Sequence, residues 1–105
     1  MPATRYEVLL PLKYNDGGDI EPEKLLRTKQ ELAERFGALT VDPYPVQGVW
    51  NRQGTPYQDV LLKYVVDVED DTQEVQVFFR NFKGLLKSRF RQFDIWIVAY
   101  PIRVV

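Results

Sequence analysis

Trp50, Arg52, Tyr57 and Asp59 bring two aromatic rings, a guanidinium and a carboxylate into one short stretch of chain. Aromatic walls with one group of each charge can hold a small polar ligand. A structural alternative stays open: Trp50 and Tyr57 form a cross-strand aromatic pair, and Asp59 bonds a nearby backbone N–H or Arg52. A second set is acidic. Glu7, Asp59, Asp67 and Asp94 fall on strand-like segments, and closely placed carboxylates can do acid–base chemistry or hold Mg²⁺. They come from separate segments, no spacing rule joins them, and rim charges around an apolar interface explain them as well. A third set is basic. Arg80, Lys83, Lys87 and Arg91, with Arg89 nearby, recur at helical spacing and could meet nucleic-acid phosphates. The alternative is a solvated stripe paired with Glu31 or Glu34.

What is absent narrows the chemistry further. The 105 residues contain no Cys and no His. Disulfides, thiolate catalysis, Ser-His and Cys-His nucleophile pairs and the usual zinc, copper and haem ligands are thereby excluded. No catalytic residue, metal site or cofactor is expected from these residues. The formal net charge of −1 gives no bulk attraction to nucleic acid or anionic membranes. The basic-glycine-aromatic strand signature of an RNA-recognition motif is missing. Asn15-Asp16-Gly17-Gly18-Asp19 is glycine-rich but has no Walker lysine and no GxGxxG spacing, so it reads as a connection. No apolar run reaches the roughly 20 residues of a membrane helix, and no signal-peptide core is visible; a cytoplasmic location is expected.

Six elements position these residues. Tyr6, Val8, Leu10 and Leu12 alternate on a first strand, 6–12. A helix is expected over 22–36, with Pro22 in its first turn, Glu21 as N-cap, Ile20 and Leu25 as a hydrophobic staple, and Gly37 as the stop. Leu25, Thr28, Leu32, Ala33 and Phe36 form its buried stripe, and Lys24, Arg27, Glu31, Glu34 and Arg35 its solvated face. Pro43 and Pro45 cannot donate to a ladder, which predicts an edge strand regular only over 46–50. A turn using Asn51 and Gly54 leads into a long strand, 57–69, with Val60, Leu62, Tyr64, Val66 and Val68 on one face. Asp71 to Glu74 has capping-box spacing before a second helix that runs to Phe90 and buries Val75, Phe78, Phe79, Phe82, Leu85, Leu86 and Phe90. The last strand is expected over 93–104, with an earlier end at Pro101 as the alternative.

The order strand, helix, strand, strand, helix, strand predicts a single α+β domain over residues 1–105. Its simplest form is ferredoxin-like βαββαβ: a four-stranded antiparallel sheet of order 4-1-3-2 with two helices on one face. Parity then places Leu9, Leu61, Val65, Trp96, Val98 and Tyr100 on the open face. That is more apolar surface than a monomer leaves in water, so a homodimer through this face is expected. Leu39-Thr40, Gly48-x-Trp50, Gly54 and Lys87-x-x-Phe90-x-Gln92-x-x-Ile95 resemble a small uncharacterised bacterial α+β domain family. The resemblance implies the fold and no particular activity; where that family carries Glu and Ser after the turn, this chain has Tyr57 and Asp59. The expected function is a non-enzymatic interaction or small-ligand-binding module. Two alternatives stand beside it: an enzyme of the dimeric α+β barrel type acting on a small polar substrate, and a nucleic-acid-binding protein using helix two.

Overall fold

Alternating apolar residues and two amphipathic stretches resolve into strands β1 (Pro2–Pro11), β2 (Thr40–Arg52), β3 (Thr55–Val68) and β4 (Ile97–Arg103), and helices α1 (Pro22–Phe36) and α2 (Gln73–Arg89). The computed structural model describes the backbone of residues 1–105 and all side chains except those of Pro43, Tyr44 and Gln58. The strands pair antiparallel in the order β2-β3-β1-β4. Tyr6, Val8, Leu10, Tyr64 and Val66 project from the central strands into one core with Leu32 of α1 and Val75, Phe79, Phe82 and Leu86 of α2. Both helices therefore cover the same face.

Within that core, rings stack in sequence. Tyr6 lies on Phe79 with centroids 3.9 Å apart, and Phe36 lies against Phe79 at 5.3 Å. A buried polar tie joins the helices: Arg89 Nη2 meets Glu31 Oε1 at 2.6 Å, and Arg89 Nη1 donates to Thr28 Oγ1 at 2.9 Å. The guanidinium is only 7% exposed. The guanidinium thus bridges an ion pair to Glu31 and a hydrogen bond to Thr28.

The α+β class, the two helices and the antiparallel sheet are as expected, but the sheet is not a simple four-stranded layer. β2 pairs with β3 in two segments, 40–42 and 46–52, separated by a register shift, and Lys13 and Asp19 add an isolated bridge. The sheet curls into a half-barrel. Phe93, just before β4 at one edge, lies 6.0 Å from Trp50 of β2 at the other edge and 6.1 Å from Tyr57. Such curling brings opposite edges together over the face that carries no helix.

Several boundaries and positions are corrected. β1 begins at Pro2, earlier than Tyr6, because Pro2 to Val8 pair with β4. β2 begins at Thr40, earlier than expected, but its unbroken pairing with β3 runs only from Val46, beyond the register shift, in keeping with Pro43 and Pro45 on an edge strand. Asn51 stays in the ladder opposite Pro56, and the turn is Gln53-Gly54, both with positive φ (50° and 83°). The cap of α2 is Thr72, whose side chain accepts from the Val75 N–H at 3.3 Å; Asp71 instead accepts from the Tyr6 hydroxyl at 2.6 Å. Leu85 is 46% exposed, since it sits on the outer flank of the Phe stripe. β4 begins at Ile97 and runs through Pro101, so residues 93–96 are not bound to strand parity.

Candidate functional site

The β2–β3 hairpin places Trp50 opposite Tyr57 and Gly48 opposite Asp59. Side chains two residues apart share a face, so Gly48, Trp50, Tyr57 and Asp59 all belong to the open side. The Trp50 and Tyr57 rings stack at 4.6 Å with planes 17° apart. The Trp50 indole N–H donates to Asp59 Oδ2 at 2.5 Å. Both structural readings of these residues are thus partly realised: the aromatic pair forms, and Asp59 is anchored, though by the indole rather than by backbone or Arg52. The Arg52 guanidinium lies 4.1 Å over the Phe93 ring, at the outer end of the cluster.

Inward from this cluster, the curl encloses a cleft of about 340 Å³. β1 contributes Leu9 and Pro11, β2 contributes Gly48, Val49 and Trp50, and β3 contributes Asp59 and Leu61. The segment before β4 supplies Gln92, Asp94, Ile95 and Trp96. The walls are mainly apolar, with two carboxylates and an amide as polar groups. This is the usual make-up of a small-molecule site, in which few polar groups orient a ligand that apolar walls desolvate. Gly48 helps to keep the space open: a Cβ there would stand 3.3 Å from Leu61 Cδ1. A smaller cavity of about 150 Å³ lies on the other side of Asp59, lined by Tyr57, Val60 and the Lys13–Gly17 loop.

Of the sequence-derived ligand candidates, Trp50 and Asp59 line the main cleft, Tyr57 lines the smaller cavity, and Arg52 lines neither. Of the four acids, Asp59 and Asp94 share the main cleft, whereas Glu7 and Asp67 lie outside it. Asp67 takes a two-pronged contact from Arg5 (2.8 and 3.0 Å), which holds its carboxyl below the usual range. Glu7 pairs with Lys63 at 3.6 Å and accepts from the Tyr100 hydroxyl, a bond that raises the Tyr100 phenol. Asp94 pairs with Lys83 at 3.2 Å. No metal-competent group of acids forms among the described residues. The basic stripe is dispersed too: Lys83 serves Asp94, Arg89 is buried against Glu31, Arg91 lies 4.7 Å over the Tyr14 ring, and Arg80 is exposed.

Of the open-face apolar residues, Trp96 is 67% and Tyr100 38% exposed, while Leu9, Leu61, Val65 and Val98 are half-buried. Leu9, Leu61 and Trp96 are also cleft walls. Asp94 was among the expected open-face acids, but Gln92, Phe93 and Ile95 were not expected in this region. Strand parity had assigned Phe93 and Ile95 to the helix side, and only Ile95 is buried there. No sequence signal joined Phe93 to the turn, which lies far from it along the chain.

No protein-family model matches the chain, and no curated protein is significantly similar to it in sequence. Among the described residues, no helix is long and apolar enough to cross a membrane. Among solved structures, the chain is similar to a phage SAM lyase in complex with S-methyl-5′-thioadenosine, with TM-score 0.69 and 13% identity over 97% of this chain and 90% of that one. It is also similar to CutA1 from Oryza sativa, with TM-score 0.64 and 12% identity over 100% of this chain and 84% of that one. At these identities the likeness is one of fold.

Proposed function

We propose that this chain is a small-molecule-binding domain whose ligand seats in the cleft between Trp50, Asp59 and Trp96. The observation that carries the reading is the cleft itself: apolar walls, two tryptophans and a few oriented polar groups, held open at Gly48. The fold likeness to a SAM lyase seen with S-methyl-5′-thioadenosine adds support and suggests a first probe, a flat heteroaromatic ring on a short arm. The stronger form of the reading is an enzyme acting on a small polar substrate, with Asp59 as the cleft carboxylate that meets it.

Titration of the protein with S-methyl-5′-thioadenosine, followed by tryptophan fluorescence and calorimetry, tests this. Saturable binding is expected, and Gly48→Val should abolish it by filling the cleft while leaving the circular dichroism spectrum unchanged. No saturation at millimolar ligand, or binding that Gly48→Val leaves intact, would reject the cleft as the site.

A second copy of the chain over the open face is part of the same proposal. Trp96 is exposed for two-thirds of its surface beside a half-buried apolar strip, and it borders the cleft. A partner seated on Trp96 would complete the wall of the ligand site.

A further inference from the structure

Of the carboxylates Glu7, Asp59, Asp67 and Asp94 on or beside the open face, three have a cation. Asp67 has Arg5, Glu7 has Lys63 and Asp94 has Lys83. Asp59 has none among the described residues: its interaction is the neutral indole N–H of Trp50 on Oδ2. The nearest guanidinium along the hairpin, Arg52, is held over Phe93 instead. Asp59 is half-buried and faces a cleft in which the described lining residues include no Lys or Arg; Lys13, which lines the smaller cavity on its other side, is paired with Asp19 at 2.8 Å.

An ionised carboxylate offers about four acceptor sites, and one indole N–H occupies a single one of them. A cation brought to Oδ1 from the cleft side would form a charge-assisted bond there. The surroundings favour such a guest. The indole of Trp96, exposed at the cleft wall, attracts positive charge through its quadrupole. The same lining repels phosphates and other anions.

We infer that the ligand of this cleft is an organic cation, with its flat apolar part against the tryptophans and its ammonium or other onium charge on Asp59. The inference rests on the cleft being the ligand site, and deepens that reading by assigning the charge of the ligand.

Adenosine and 5′-amino-5′-deoxyadenosine differ only in a hydroxyl replaced by an amine that is protonated at neutral pH, so comparing their affinities isolates the charge. The amine is expected to bind at least about tenfold more tightly at low salt. That preference should vanish in Asp59→Asn, which keeps an acceptor for the Trp50 N–H, and persist in Asp94→Asn, whose carboxylate is already paired. Equal binding of the two nucleosides to the wild type would overturn the inference and leave the site standing. A preference unchanged in Asp59→Asn would also overturn it, by placing the charge elsewhere. If neither nucleoside binds, the cleft reading falls and the inference with it. Should Asp59→Asn fail to fold, the salt dependence of the wild type decides: the amine's advantage must shrink towards that of adenosine as ionic strength rises, and an advantage insensitive to salt would overturn the proposal.

Discussion

Tyr6 couples the sheet to α2 through both its ring and its hydroxyl. The ring stacks on Phe79 inside the core, and the hydroxyl donates to Asp71 just before the Thr72 cap. Burial foremost, and then the bond to Asp71, push the Tyr6 phenol up to about 12. The sign follows from the protonated form being the one the fold prefers. With the folded value above the ordinary 10.0, the contribution is complete below that value and is lost as pH rises through about 12. The urea midpoint should therefore fall between pH 10 and pH 12, and Tyr6→Phe should flatten that part of the profile while lowering stability at neutral pH by about 1 kcal/mol for the lost hydrogen bond. An alkaline profile identical in wild type and Tyr6→Phe would contradict the assignment. Asp67 works in the opposite direction: its support is present above the ordinary carboxylate range and fades as pH falls through its lowered value.

At the scale of elements, the β2–β3 hairpin shapes the site. Its two-residue Gln53-Gly54 turn has positive φ at both positions, the geometry whose twist suits paired strands. A β-branched residue at Gly54 would be forced into a left-handed conformation it rarely adopts. The tip is held by Phe93 edge-on to Trp50 and Tyr57, with Arg52 over the Phe93 ring. Phe93→Ala removes these contacts and is expected to cost about 1–2 kcal/mol, because the ring is still 43% exposed and buries only part of its surface. Amide exchange should accelerate through the outer half of the hairpin while α1 and α2 stay protected. Uniform acceleration across the chain would mean that Phe93 supports the global fold rather than the hairpin tip.

For the whole molecule, the question is what the open face meets. It divides into a polar half, built on Arg5–Asp67 and Lys63–Glu7–Tyr100, and an apolar half around Leu9, Leu61 and Trp96. Burying the apolar half would gain about 25 cal/mol per Å², offset in part by lost rotational and translational freedom. In the proposed dimer, Trp96→Glu places an unpaired charge in the interface. Sedimentation equilibrium should show twice the 12.4 kDa chain mass for the wild type and a monomer for Trp96→Glu, with weakened ligand binding if the partner completes the cleft. A wild type that stays at the chain mass at tens of micromolar would remove the dimer while leaving the cleft untouched.

Element type and facing were legible in the sequence, because they depend on neighbours two to four residues away. The 22–36 helix with its Gly37 stop (φ 80°), the Phe stripe of α2 and the alternation of β3 follow from that local periodicity. The placement of Trp50 beside Tyr57 and Asp59 was legible for the same reason, since a hairpin turns sequence proximity into cross-strand contact. The tertiary structure decided everything that joins distant segments. Nothing local to Phe93 says that it leaves strand parity to meet Trp50, and no spacing rule pairs Arg5 with Asp67 or Lys83 with Asp94 while Asp59, among the described residues, is held by an indole. Those outcomes come from the curl of the sheet, a sum of twist and register over all four strands. That curl creates the cleft and selects the carboxylate that faces it.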